Sequence, residues 1–118
     1  MKLSELQNHI KAFDHAPELS DHYFLKLIEE VGEVSEAIRK GQSGQPALEE
    51  LKGSIAEELY DVLYYVCALA NIYDVDLEKT HELKEVLNKA KYNRWAGAAN
   101  PAYVWKLTTF FSLIQYLK

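Results

Sequence analysis

The residues best suited to chemistry in this chain are acids. Glu29-Glu30-Val31-Gly32-Glu33 and Glu58-Leu59-Tyr60-Asp61 each hold two acids three positions apart, a spacing that sets both side chains on one helix surface. At ~100° per residue, Glu30 and Glu33 fall roughly 90° and 150° to one side of their helix's apolar stripe, and Glu58 and Asp61 roughly 80° and 140° to the same rotational side of theirs. Helices joined by a short loop pack antiparallel. Reversing one helix turns equal offsets into positions on the same side of the shared interface, so the four acids are expected to converge. Facing carboxylates repel one another, and a divalent cation relieves that repulsion. A donor set of oxygens without His or Cys suits a hard ion, Mg²⁺ where the partner carries phosphates, with Mn²⁺ as a substitute. A single helical acid is ordinarily a solvated flank; the matched pairs on adjoining helices are what point to a site.

The elements that must position these acids are helices. Apolar residues recur at spacings of three and four, with no sustained strand alternation, which predicts an all-α fold. A first helix is expected over residues 2–13, using Leu3, Leu6, Ile10 and Phe13 and ending before Pro17. A second is expected over residues 20–40, with Phe24, Leu27, Ile28, Val31, Val34 and Ile38 as its apolar face and Gly41 as its C-cap. After the loop Gly41 to Pro46, a third helical region runs to Ile72. Ser54 and Glu57 form a capping-box pattern after Gly53, so either one helix spans this region or residues 47–52 are a separate turn. A fourth helix is expected over residues 77–92 with Asp76 as N-cap. The reading is a bundle of four main helices, completed by oligomerisation.

Composition narrows the class of partner. The 118 residues are 48% apolar and 26% charged, as in one compact domain with an ordinary core. Thirteen Lys and Arg against eighteen Asp and Glu leave a charge of −5, which argues against binding a nucleic-acid backbone. An anionic ligand therefore needs a local cation or basic cluster. The one cysteine, Cys67, has no partner for an internal disulfide and reads as an inert core residue. The opening MKLSELQNHIKAF lacks a secretory pattern, and the apolar tail contains Lys106 and falls short of a membrane span. A cytoplasmic protein is expected, with no membrane partner.

The stretches Leu27-Ile28-Glu29-Glu30-Val31-Gly32-Glu33-Val34 and Ala56-Glu57-Glu58-Leu59-Tyr60-Asp61-Val62-Leu63 resemble the EExxE and ExxD motifs of the MazG-like, all-α nucleoside triphosphate pyrophosphohydrolases. The resemblance covers roughly residues 1–95, and a domain of residues 1–97 followed by a tail of residues 98–118 is expected. The resemblance implies Glu30, Glu33, Glu58 and Asp61 as ligands of Mg²⁺. Glu29 is implied as a further ligand or as a group orienting the attacking water. The implied reaction cleaves a nucleoside triphosphate, commonly a deoxynucleotide, between its α and β phosphates, giving monophosphate and pyrophosphate. Its role would be clearing unwanted nucleotides, by a homodimer or homotetramer.

Two further groups fit that expectation. Lys89, Lys91, Asn93 and Arg94 form the densest basic cluster and are candidates for phosphate binding, although cations also favour a helix C-terminus for dipole reasons alone. Phe13, Tyr23, Tyr64 and Trp95 are candidate walls for a nucleobase, with Phe24 and Tyr60 as further aromatics. The rival readings are a noncatalytic helical interaction or regulatory module that uses the acidic face, and a metal enzyme acting on another phosphorylated substrate.

Overall fold

The computed structural model describes residues 1–92. The tail of residues 98–118, its boundary at residue 97, and Asn93, Arg94 and Trp95 lie outside the described residues. Every regular element among the described residues is helical, as expected: α1 is Leu3–Phe13, α2 Ser20–Arg39, α3 Ile55–Ile72 and α4 Leu77–Tyr92, with 3₁₀ turns at Pro17–Leu19 and Leu48–Glu50. The chain divides into two compact units, Met1–Leu77 and a second beginning at Glu78. The first contains α1 to α3; the second contains α4 from Glu78 onward.

The helix ends follow from local chemistry. After α2, Gly41 takes φ +72°, its N–H donates to Ile38 O and the Gln42 N–H donates to Ala37 O, each at 3.0 Å. This is the left-handed C-terminal turn that glycine adopts without a Cβ penalty. The choice left open at the third helix resolves in favour of a separate turn: Leu48–Glu50 stands alone and Ser54 caps α3. Ser54 Oγ accepts from the Glu57 N–H at 3.2 Å. Glu57 Oε1 accepts in return from the Gly53 N–H, also at 3.2 Å, because the Ser54 N–H is already bonded to Leu51 O at 3.0 Å. After α3 the left-handed position falls to Asp74, φ 55°.

The core gathers Leu6 and Ile10 of α1, Tyr23 of α2, and Cys67 and Ala68 of α3. Cys67 is fully buried and free, and burial pushes its thiol upward, in keeping with an inert core role. Two polar clasps fix α1 within the first unit. Gln7 Nε2 donates to Asn71 Oδ1 at 3.1 Å and to Val75 O at 2.8 Å, its Oε1 accepts from the Leu77 N–H at 2.8 Å, and Asn71 Nδ2 donates to Gln7 O at 2.9 Å. The Asp14 carboxylate accepts from two phenols, Tyr23 at 2.5 Å and Tyr64 through its other oxygen.

One expectation is corrected. The side of α2 turned into the unit carries Tyr23, Leu27, Glu30, Val34 and Ala37, all buried or half-buried, whereas Phe24, Ile28, Val31 and Ile38 of the expected apolar face are each half-exposed or more. Apolar residues occupy two stripes of α2 about 100° apart, and the single chain covers the one that reaches α1 and α3. On α3, Leu59 and Leu63 are exposed as well.

Removing the Asp14 carboxylate leaves two phenols without their acceptor. Asp14→Ala is expected to cost about 1–3 kcal/mol and to lower the melting temperature by about 5–10 °C. An unchanged thermal melt would show that the clasp does not hold α1 in place.

Candidate functional site

The acidic motifs sit on α2 and α3, and their pairing follows from the direction of the two helices. Lys26 lies over the Tyr65 ring, the charge of Asp61 is felt by Glu30 and that of Glu33 by Glu58, and Phe24 shares a groove with Leu69 and Ala70. As the number on α2 rises, the number on α3 falls, so the hairpin is antiparallel. One carboxylate oxygen from each of Glu30, Glu58 and Asp61 lies within 4.8 Å of the others. Convergence of four acids was expected from equal offsets to an apolar interface. The structure brings three of them together and leaves the exposed Glu33 outside the trio, and it does so differently: Glu30 is on the stripe of α2 that faces inward, and Glu58 is buried at 7% exposure near the start of α3.

Burial and crowding act together on these groups. Desolvation is the main cause raising the Glu30 carboxyl above its ordinary value, followed by the charge of Asp61. Glu58 is raised by desolvation, then by Glu33 and Asp61. Asp61 is raised by desolvation, then by Glu57 and Glu33, with Lys26 opposing. Glu33 is exposed and acts on the cluster through its charge. Glu29 is exposed and its Oε2 lies 3.1 Å from Lys26 Nζ, so it stands beside the trio of close oxygens and outside it.

An all-carboxylate set, partly dehydrated and mutually repelling, fits a hard divalent cation. No basic group is recorded within salt-bridge distance of Glu30, Glu58 or Asp61 among the described residues.

The other candidates are placed as follows. Phe13 is exposed at 64%, its ring edge-on to His9 at 5.1 Å. Tyr23 is buried and Tyr64 half-buried, both hydroxyls donated to Asp14. Burial, then the Asp14 carboxylate, lifts the Tyr64 phenol far above its usual range. Tyr60 is half-exposed, and Phe24 lines an apolar groove of about 520 Å³ with Val66, Leu69, Ala70 and Tyr73. In the second unit, Lys89 and Lys91 occupy the last turn of α4, with Lys91 Nζ 5.2 Å from the Tyr92 ring centroid. The structure adds two residues that the motif reading left out. Lys26 acts on both Glu30 and Asp61, and Tyr65 lies within reach of the same charges. The first was visible as a cation three and four residues before Glu29 and Glu30; the second had no local signal.

A helical unit that gathers carboxylates across an antiparallel pair is the class of all-α nucleotide hydrolase that the motifs resemble. The family model for the MazG nucleotide pyrophosphohydrolase domain matches residues 20–94, so the chain belongs to the MazG family. It is similar to crystal structures of iMazG from Vibrio DAT 722. For a Ctag form the identity is 83% and the TM-score 0.74, covering 75% of this chain and 99% of that one; for an Ntag form they are 82% and 0.75, covering 79% and 99%. It is also 36% identical over 73 residues to an uncharacterized protein, YpjD, of Bacillus subtilis (strain 168), covering 59% of this chain and 65% of that protein's length. No helix among the described residues is long and apolar enough to cross a membrane.

The raised carboxyls carry a sign. The folded state holds its protons to higher pH than the unfolded chain, so these acids cost no stability below their unfolded values, near pH ~4. They become progressively unfavourable as pH rises through their folded values. In EDTA, Glu58→Gln should therefore melt a few degrees above the parent protein at about pH 7 and together with it near pH 4. Equal melting temperatures at neutral pH would show that the cluster is not under electrostatic load.

Proposed function

We propose that this chain is a Mg²⁺-dependent nucleoside triphosphate pyrophosphohydrolase of the cytosol. It converts a ribo- or deoxynucleoside triphosphate to the monophosphate and pyrophosphate as part of clearing unwanted nucleotides. The observation that carries the reading is the meeting of Glu30, Glu58 and Asp61 oxygens within 4.8 Å across α2 and α3, in a chain of the MazG family. Glu30, Glu58 and Asp61 are the residues to hold the ion, with Glu33 supplying further negative charge at the same end of the hairpin. Bound Mg²⁺, for which Mn²⁺ can substitute, supplies charge neutralisation at phosphate oxygens and lowers the pKa of a coordinated water.

The protein's own part is electrostatic and positional. Desolvation by the α2–α3 seam strengthens each carboxylate's pull on a cation, and the helices fix the oxygens before substrate arrives. Glu29, on the solvent side and already engaged as a hydrogen-bond acceptor, is suited to orienting the attacking water. Lys89, Lys91, Asn93 and Arg94 are proposed to bind phosphate. Phe13 and Trp95 are proposed for the base, Tyr23 and Tyr64 offering ring surface only. The exposed apolar residues Phe24, Ile28 and Val31 of α2 with Leu59 and Leu63 of α3 support a homodimer or homotetramer.

Mixed nucleoside triphosphates with Mg²⁺ should yield pyrophosphate. Glu30→Ala and Asp61→Ala should each reduce that yield at least a hundredfold (~3 kcal/mol) while leaving the helical circular dichroism intact. Retained turnover in both variants would sink the ligand assignment. Orthophosphate as product would point to another substrate class, and no product at all to a binding module.

Ile28→Glu places a charge in the exposed apolar stripe. It should reduce the mass in sedimentation velocity to that of one chain. A parent protein that already sediments as a monomer would remove the oligomer from the reading.

A further inference from the structure

The ammonium of Lys26 faces more than its helical neighbour. Its Nζ is 3.1 Å from Glu29 Oε2 and 6.0 Å from the centroid of the Tyr65 ring on α3. Lys26 lies one turn before Glu30 on α2 and Tyr65 one turn after Asp61 on α3, so the ammonium stands on the seam between the two helices beside their acids. An ordinary surface pair three residues apart on a helix contributes little and concerns one acid. Lys26 instead stands on the seam between α2 and α3, one turn from Glu30, with a side chain only 30% exposed. A single positive charge in that position partly offsets the repulsion that a divalent ion would remove.

We propose that Lys26 is the resident counter-cation of the acidic site, competing with the divalent ion for the field of the carboxylates and released toward the triphosphate when that ion binds. This rests on the metal reading of Glu30, Glu58 and Asp61. A lysine suits the exchange because its ammonium is a point charge on a flexible stem, with donors for a phosphate oxygen once the acids are neutralised. Lys26 thereby sets the affinity of the empty site for metal and contributes to holding the substrate in the filled one.

The test uses the full chain and Mn²⁺ alone, titrated by calorimetry or by the electron paramagnetic resonance of the free ion. Lys26→Met should bind Mn²⁺ about threefold to tenfold more tightly than the parent protein at low ionic strength. The difference should shrink in high salt, as for a unit charge removed from a site in water-like surroundings. Lys26→Arg should restore the parent affinity. With nucleoside triphosphate and saturating metal, Lys26→Met should raise KM. Unchanged or weaker Mn²⁺ binding by Lys26→Met would overturn the proposal, since it would mean that the lysine only orients Glu29. If the parent protein and Glu30→Gln both fail to bind Mn²⁺, the metal reading itself falls and this inference falls with it.

Discussion

The constraint on which the structure depends is that carboxylates are kept close together and partly out of water along the seam between α2 and α3. Isolated acids on helix surfaces are solvated and indifferent to one another beyond a Debye length. Here Glu30, Glu58 and Asp61 offer oxygens within 4.8 Å, and burial acts on each before any neighbour does. Such an arrangement persists in a fold only if the frame around it resists spreading. The frame is apolar and hydrogen-bonded. Leu6, Ile10, Tyr23, Cys67 and Ala68 form the buried cluster on the side of α1, and Asp14 and Gln7 tie that helix to α2 and α3.

The same residue chemistry serves opposite ends in the two places. Asp14 is a carboxylate with two phenol donors on its oxygens, and it acts as a clasp because its negative charge strengthens both bonds. Glu58 is a carboxylate whose neighbours in charge are Glu33, Asp61, Glu30 and Glu57, and none of them can donate to it when ionised. Two of the aromatics expected at a nucleobase, Tyr23 and Tyr64, donate to the clasp. An aromatic side chain near an active site can hold the frame with its hydroxyl and leave only its ring for a ligand.

Much of this was legible in the residues. The end of α2 followed from punctuation with a mechanism, Gly41, whereas the capping box at Ser54 left two choices for the start of α3 that only the structure separates. The meeting of Glu30 with Glu58 and Asp61 followed from two spacings of three on consecutive helices, while Glu33, expected with them, stays outside the trio. What was not legible was which apolar stripe of α2 the chain covers itself. Phe24, Ile28, Val31 and Ile38 make as good a stripe as Tyr23, Leu27, Val34 and Ala37, and periodicity reports amphipathicity without naming the partner. Bonds between residues far apart in sequence, such as Tyr64 to Asp14 and Gln7 to Asn71, were also invisible. Nothing in local spacing marks a polar group that will be matched fifty or more positions away. Lys26 was legible as a cation one turn before Glu30.

The coupling between site and scaffold runs in both directions. Because α2 and α3 are antiparallel and meet along the residues that carry the acids, any change in their separation changes the distance between Glu30 and Asp61. An ion that binds the closed arrangement and not the unfolded chain must stabilise the hairpin by an amount that grows with the logarithm of one plus its concentration over its dissociation constant. Conversely, whatever tightens the hairpin preorganises the oxygens and strengthens ion binding. The half-exposed Ile28 and Val31 lie within three residues of Glu30, and Leu59 and Leu63 within two of Asp61. Burying that apolar face in an assembly would therefore restrain the same two helices from outside, and a cation at the carboxylates would restrain them from within. Assembly and ion binding would then favour the same compact state of α2 and α3, so that each raises the affinity for the other without any contact between the two surfaces.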